Sequence, residues 1–282
     1  MQKLLLFIFL LPVLSFSQED LLDEIDTLAT DNQFENAAFK GLKIVNFEST
    51  KLAYDKQLYL VVSHRFGSVK TGIEDFFGLD QAVTRLNFIY GISDAVNIGI
   101  SRSSYQRTYE GSLKYRLVRQ KNNGFPFTIV GYNSMTVNTS LSKDVFPRLE
   151  FKHRLAYVSQ VLISRKLNNN FSLQLMPTFF YENLVKIDGQ SNSQYVLGLG
   201  GRHKLTKRWS VNIDYGLHLN RIENAPFKNP LSIGFDLETG GHVFQLHFTN
   251  AQPMNANGFL GEGIGDWGEG DVFFGFNLSR VF

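Results

Sequence analysis

The chain has 282 residues and no cysteine, so its length suits one domain and no disulfide framework holds it. Lys plus Arg (28) nearly balance Asp plus Glu (26), which excludes the strongly basic field of a nucleic-acid binder. Phe (26) and Gly (24) are abundant while long helical patterns are missing, so the hydrophobicity is spread along strands rather than gathered into helical spans.

In chain order, residues 1–17 read as a secretory signal, with Lys3 before the apolar run Leu4 to Leu14 and Ser15-Phe16-Ser17 as the cleavage site. The run is about half the roughly twenty residues of a spanning helix. The next segment, 18–56, opens acidic, and Leu21, Leu22, Ile25 and Leu28 recur at helical spacing. A short helical or irregular segment is expected there, in the periplasm or tucked plug-like into a barrel mouth. Residues 41–49 are apolar enough for a strand.

From 57 onward, strands alternate with turn chemistry. They are predicted over 57–66, 82–92, 96–103, 109–120, 127–137, 153–167, 171–182, 194–205, 209–220, 231–238, 242–250 and 271–282. That makes twelve segments of roughly the length that a tilted bilayer-spanning strand requires. Counting back from Phe282, alternate connections are the longer ones: 252–270, 221–230, 186–193, 138–152 and 67–81, with 104–108 the short exception. Short turns on one side and long loops on the other are the barrel pattern.

Within strands the faces separate. Trp209, Val211, Ile213, Tyr215 and Leu217 oppose Ser210, Asn212, Asp214, Gly216 and His218, and Leu231, Ile233, Phe235 and Leu237 oppose Ser232, Gly234, Asp236 and Glu238. A soluble sandwich would seldom place ionised groups in its narrow interior. The expected fold is therefore all-β: an antiparallel up-and-down transmembrane β-barrel of about twelve strands over 57–282, exported to the outer membrane. Its closing strand ends on Phe282, the place where outer-membrane barrels carry the assembly signal read by the barrel assembly machinery.

The stretches His64-Arg-Phe-Gly67, Tyr109-Glu-Gly-Ser-Leu-Lys114, Thr206-Lys-Arg-Trp209, His242-Val-Phe-Gln-Leu246 and Gly275-Phe-Asn277 with Arg280-Val-Phe282 carry a family likeness. They resemble a β-barrel family of the Bacteroidetes catalogued as a domain of unknown function. The resemblance implies a fold and a compartment; it brings no activity, catalytic residue or ligand.

The candidate site is polar. Asp214, His218, Asp236, Glu238 and His247 fall on the inward faces of three successive strands, facing Arg65, Lys114 and Arg116 across the interior. They read as a lumen-lining network; a metal bound there would need ligand atoms converging within about 2.0–2.6 Å, which spacing across strands does not establish. His64 and His153 are expected outward near the outer rim, as in a lipid hydrolase, but on distant strands and without a nucleophile motif. Glu262, Asp266, Glu269 and Asp271 lie among glycines in what reads as a solvated loop. The leading expectation is a non-enzymatic pore or small-solute binding barrel, without cofactor or nucleic-acid partner and in contact with outer-membrane lipids. The alternatives are a closed structural or partner-docking barrel and, third, an outer-membrane lipid hydrolase.

Overall fold

Alternation of apolar and polar side chains, period two, lets one face of each strand meet hydrocarbon and the other a polar interior. The computed structural model describes residues 34, 35 and 37–282; the signal sequence and the helix expected over 21–28 lie outside the described residues. Twelve strands stand among the described residues: β1 (Leu58–Ser68), β2 (Ala82–Ser93), β3 (Val96–Ser103), β4 (Thr108–Val118), β5 (Thr128–Asn138) and β6 (Leu155–Lys166), then β7 (Phe171–Glu182), β8 (Ser193–Lys204), β9 (Trp209–His218), β10 (Leu231–Thr239), β11 (His242–Thr249) and β12 (Phe273–Val281). Each pairs antiparallel with its sequence neighbours, and β12 pairs with β1, so the sheet closes without an edge. The seam continues past β12, where Phe282 N–H donates to the Leu58 carbonyl at 2.9 Å and Leu58 N–H returns to that of Phe282 at 3.3 Å.

No helix among the described residues is long and apolar enough to cross a membrane; strands do the crossing. The outer surface is apolar, with Phe88, Ile100, Leu113, Leu175, Ile213 and Phe235 exposed. Aromatics flank this band, Trp209, Phe171 and Phe282 at one end and Tyr109 and Tyr195 at the other.

Three expectations are corrected here. Residues 41–49 form no strand; they bend back on themselves, with Ser49 N–H donating to the Leu42 carbonyl at 2.9 Å and Ile44 N–H to that of Phe47 at 2.8 Å. His153 lies not on β6 but in a 3-10 turn, Phe151–Arg154, where its Nδ1 accepts the Glu150 N–H at 2.9 Å. The 252–270 connection is only in part a solvated loop: Gly268, Glu269 and Gly270 are exposed, but its first half is not. It folds inward, and its short helix α1 (Ala256–Gly261) is buried along its whole length because Phe259 and Leu260 need an apolar partner and find one inside the barrel.

The connections still divide into a short-turn end and a long-loop end. A cysteine replacing exposed Ser191, in the β7–β8 connection, should react with an impermeant thiol reagent on intact cells. One replacing exposed Asn169, in the β6–β7 turn, should not; labelling only at 169 would invert the orientation. Asn257, on α1, is buried and unsuited to the same assay.

Candidate functional site

The interior wall is not uniform. Around β5 to β8 the inward face carries Val130, Tyr132, Val158, Leu162, Met176, Phe180 and Val196, all buried. Around the remaining strands it carries Arg65, Arg85, Asn97, Glu110, Lys114, Asp214, Asp236 and Asn277, also buried. A water-filled lumen would leave the apolar half facing water at about 25 cal/mol per Å². Instead, two inserts cover it.

The first insert is residues 37–56. The chain meets the short-turn end at Phe34, which bridges Lys121, and returns there where Lys56 N–H donates to the Gly91 carbonyl and Asp55 N–H to the Asp94 carboxylate, both at 2.9 Å. Between these points it runs up the lumen and back as a hairpin. Ile44, Phe47 and Leu52 join the apolar half. Inward glycines make room: a Cβ on Gly200 would lie 2.4 Å from Ile44, one on Gly198 2.7 Å from Phe47, and one on Gly234 3.1 Å from Val45.

Polar side chains, most of them outside the apolar arc, hold the hairpin's backbone and tip. One carboxylate oxygen of Asp214 accepts the N–H groups of Val45 (3.0 Å), Asn46 (2.7 Å) and Phe47 (3.1 Å). Such charge-assisted bonds are among the stronger ones in proteins. The Asn46 amide donates to Ser232 and Thr249 and accepts from Arg65 Nη2 at 2.8 Å. Glu48 pairs with Lys43 (2.8 Å) and Lys114 (3.1 Å), and Gln174 accepts Thr50 N–H while donating to the Glu48 carbonyl. Asn97 donates to and accepts from the Ala53 backbone, as a strand neighbour would.

The second insert is α1, entering from the long-loop end. Phe259 meets Phe47 edge-on, ring centres 5.0 Å apart, so the two inserts close the lumen against each other. Arg221 donates to the carbonyls of Leu260 and Gly261, satisfying the end of the helix, and Asn257 donates to Glu182 at 2.9 Å. Glu262 accepts from Lys186 (2.7 Å), Gln106 (2.7 Å) and the Tyr105 hydroxyl (2.9 Å). Burial, with Glu262 beside it, pushes the Tyr105 phenol above its ordinary range, which keeps it a donor. The spaces left beside Asn87 and Gln245 and beside Glu182 and Lys186 hold about 20 Å³ each, room for about one water.

The polar residues singled out in the sequence all point inward but do not form one cluster: four of them bind the hairpin, and the others bond wall residues or stand apart. Asp214 and Arg65 act at the hairpin tip and Lys114 on Glu48. Asp236 accepts from Gln245 at 2.7 Å, and Glu238 bonds Lys40 of the hairpin. His218 contacts Gln194 at 2.9 Å and the edge of Phe180, nearer the long loops. His247 is buried in the wall, and Arg116 stands apart, half-buried toward the short-turn end. No group of three or more metal-ligating side chains converges among the described residues. Outward His64 stacks on Phe276 and touches the Thr84 hydroxyl at 3.0 Å, with no carboxylate hydrogen-bonded to its ring among the described residues; Ser134 and Thr136 turn inward, away from His153.

Sequence reasoning missed Asn46, Phe47, Glu48 and Phe259. It also missed the Arg85–Glu110 pair (2.5 Å), both members 3% exposed, which stiffens the wall beside the inserts. The available signals were apolar residues on both faces of β5 to β8 and glycines recurring inward on β8 to β10; each implies an occupant.

Residues 39–282 match the family described as "Membrane bound beta barrel domain (DUF5777)". The chain belongs to this family. A membrane-bound antiparallel barrel with an apolar exterior is an outer-membrane protein. Among solved structures the family member is similar to the KdgM porin in complex with disordered oligogalacturonate, at 7% identity over 80% of this chain and 99% of that one, TM-score 0.50. It is also similar to the NanC porin (9% identity, 79% and 98% covered, TM-score 0.49) and to the Acinetobacter baumannii outer membrane protein Omp33 (10% identity, 81% and 99% covered, TM-score 0.44). Identities this low speak for the fold alone. No curated protein matches the sequence.

Proposed function

We propose that the protein is a non-enzymatic outer-membrane barrel whose lumen is a solute path closed at rest by the hairpin 37–56 and by α1. The carrying observation is how polar residues from around the wall hold the hairpin. Asp214, Arg65, Lys114, Gln174 and Asn97 bind it through hydrogen bonds that water or a polar solute can replace, while the apolar wall of β5 to β8 favours the closed state at rest. Twelve strands lie between barrels filled by side chains and those with an open aqueous channel, so the inserts decide which state this one adopts. The other reading, a permanently closed structural barrel, draws on the Phe47–Phe259 contact and its apolar surroundings.

Planar-bilayer recording separates the two. The refolded wild type should be silent or open rarely, and a chain with residues 41–53 and 254–261 each replaced by an equally long Gly/Ser linker, which removes both inserts, should give discrete steps. Silence from a folded linker variant would leave the structural barrel and remove the pore.

The role of Phe282 belongs to the same proposal. As assembly signal and seam-closing residue, its deletion should lower the heat-modifiable, folded form in outer-membrane fractions severalfold. Unchanged levels would remove the assembly role.

A further inference from the structure

One large groove lies on the outside of the barrel. It spans about 700 Å³ and crosses β6 to β9 toward the short-turn end, in the size range of small-molecule pockets. Its walls are the outward side chains of Leu173, Leu175, Leu199 and Ile213, and its floor is Gly201. The register puts Gly201 opposite Leu173 on one side and Ile213 on the other, so a missing side chain between two long ones makes the depression. Neither packing nor backbone demands that glycine. A Cβ there would stand 3.5 Å from Ile213 and 3.6 Å from Leu173, ordinary contact, and its φ is not positive.

The rim at the short-turn end is basic. Arg165 is exposed and lies over the Phe127 ring, 5.8 Å from its centre, with no acidic partner among the described residues. His203 stands two residues along β8 from Gly201, against Phe171. Residues 159–181 and 193–213 contain no Asp or Glu, whereas Lys207 and Arg208 occupy the β8–β9 turn. An apolar trough ending at the exposed Arg165 guanidinium at the membrane boundary complements an acyl chain with an anionic headgroup.

We propose that this groove is a binding site for an anionic phospholipid of the inner leaflet. One acyl chain lies over Gly201 between Leu173 and Ile213, and the phosphate meets Arg165 and His203. The site goes beyond the solute path: it rests on the membrane barrel alone, and its failure leaves the reading of the lumen untouched.

Native mass spectrometry of the refolded protein in detergent, given phosphatidylglycerol, phosphatidylcholine or lipid A, tests this. The wild type should retain phosphatidylglycerol in preference to both of the others. Gly201→Phe, which fills the trough, should lose most of the retained lipid whatever its headgroup. Arg165→Gln should keep binding phosphatidylcholine and lose the preference for phosphatidylglycerol. Gly111→Phe, at an outward glycine of β4 with open space around it, is the control and should retain lipid as the wild type does. Heat-modifiable migration checks that each variant is folded. Equal retention by the wild type and folded Gly201→Phe would overturn the site, as would equal loss in Gly111→Phe. Preference for lipid A would overturn the assignment to the inner leaflet.

Discussion

Replacing Asp214 with alanine is expected to release residues 37–56 from the lumen while the barrel stays closed. The carboxylate is the shared acceptor of three consecutive buried amides, those of Val45, Asn46 and Phe47. Without it, those donors face a wall from which water is excluded, and each unsatisfied buried group costs about 1–3 kcal/mol. The sum, several kcal/mol, falls on one hairpin otherwise held by the Asn46 and Asn97 hydrogen bonds, two lysine pairs and the packing of Ile44, Phe47 and Leu52. The strand ladders do not pass through Asp214's side chain, so the sheet keeps its register. Trypsin should therefore cut the variant at Lys40, Lys43 or Lys51, positions that are half-buried in the intact protein, and leave a heat-modifiable barrel behind. Asp214→Asn keeps an acceptor oxygen without the charge and should fall between the two. Cleavage no faster than in the wild type would mean that the carboxylate does not hold the hairpin.

Phe235→Arg should impair folding far more than Asp236→Asn, although the residues are adjacent. Phe235 is 45% exposed on the outer face near the middle of β10, where the membrane interior surrounds it. An arginine at that depth costs about 2–4 kcal/mol, a large share of a typical stability of about 5–15 kcal/mol. Asp236 is buried inside, where Gln245 donates to its Oδ1 at 2.7 Å. Asparagine preserves that acceptor and the side-chain shape. Refolding into detergent or lipid, read by the shift in heat-modifiable migration, should show a marked loss for the first and little for the second. Equal tolerance would reverse the assignment of faces.

The barrel was legible in the sequence because its wall obeys a short rule. Trp209 to His218 and Leu231 to Glu238 alternate cleanly, and alternation survives whatever the lumen contains. The parity of long and short connections added the sense of each strand. The contents of the lumen were less legible, for a physical reason. Residues 41–49 touch apolar wall on one side and polar wall on the other within a tight bend, so neither period two nor period 3.6 appears. In 252–270 the glycines and carboxylates suggest solvent throughout, which holds for Gly268 to Gly270 but not for the part that enters the lumen. Yet Glu262 is paired, and Met254, Phe259 and Leu260 are buried. Those apolar residues were the countersignal, together with Leu162, Met176 and Phe180 pointing into a supposedly wet interior. The inward polar residues were placed on their face by alternation, but their partners were not, because the partners lie on a segment with no periodicity to read.

The most direct test of the account is hydrogen–deuterium exchange on the refolded, lipid-embedded wild type, followed at the backbone amides of Val45, Asn46 and Phe47. These groups have no strand ladder to protect them; only the Asp214 carboxylate accepts them inside the lumen. They should exchange as slowly as amides of the neighbouring wall strands, and Asp214→Ala should speed them toward the rate of open loops. Fast exchange at all three positions in the wild type would place the hairpin outside the lumen and contradict the closed state.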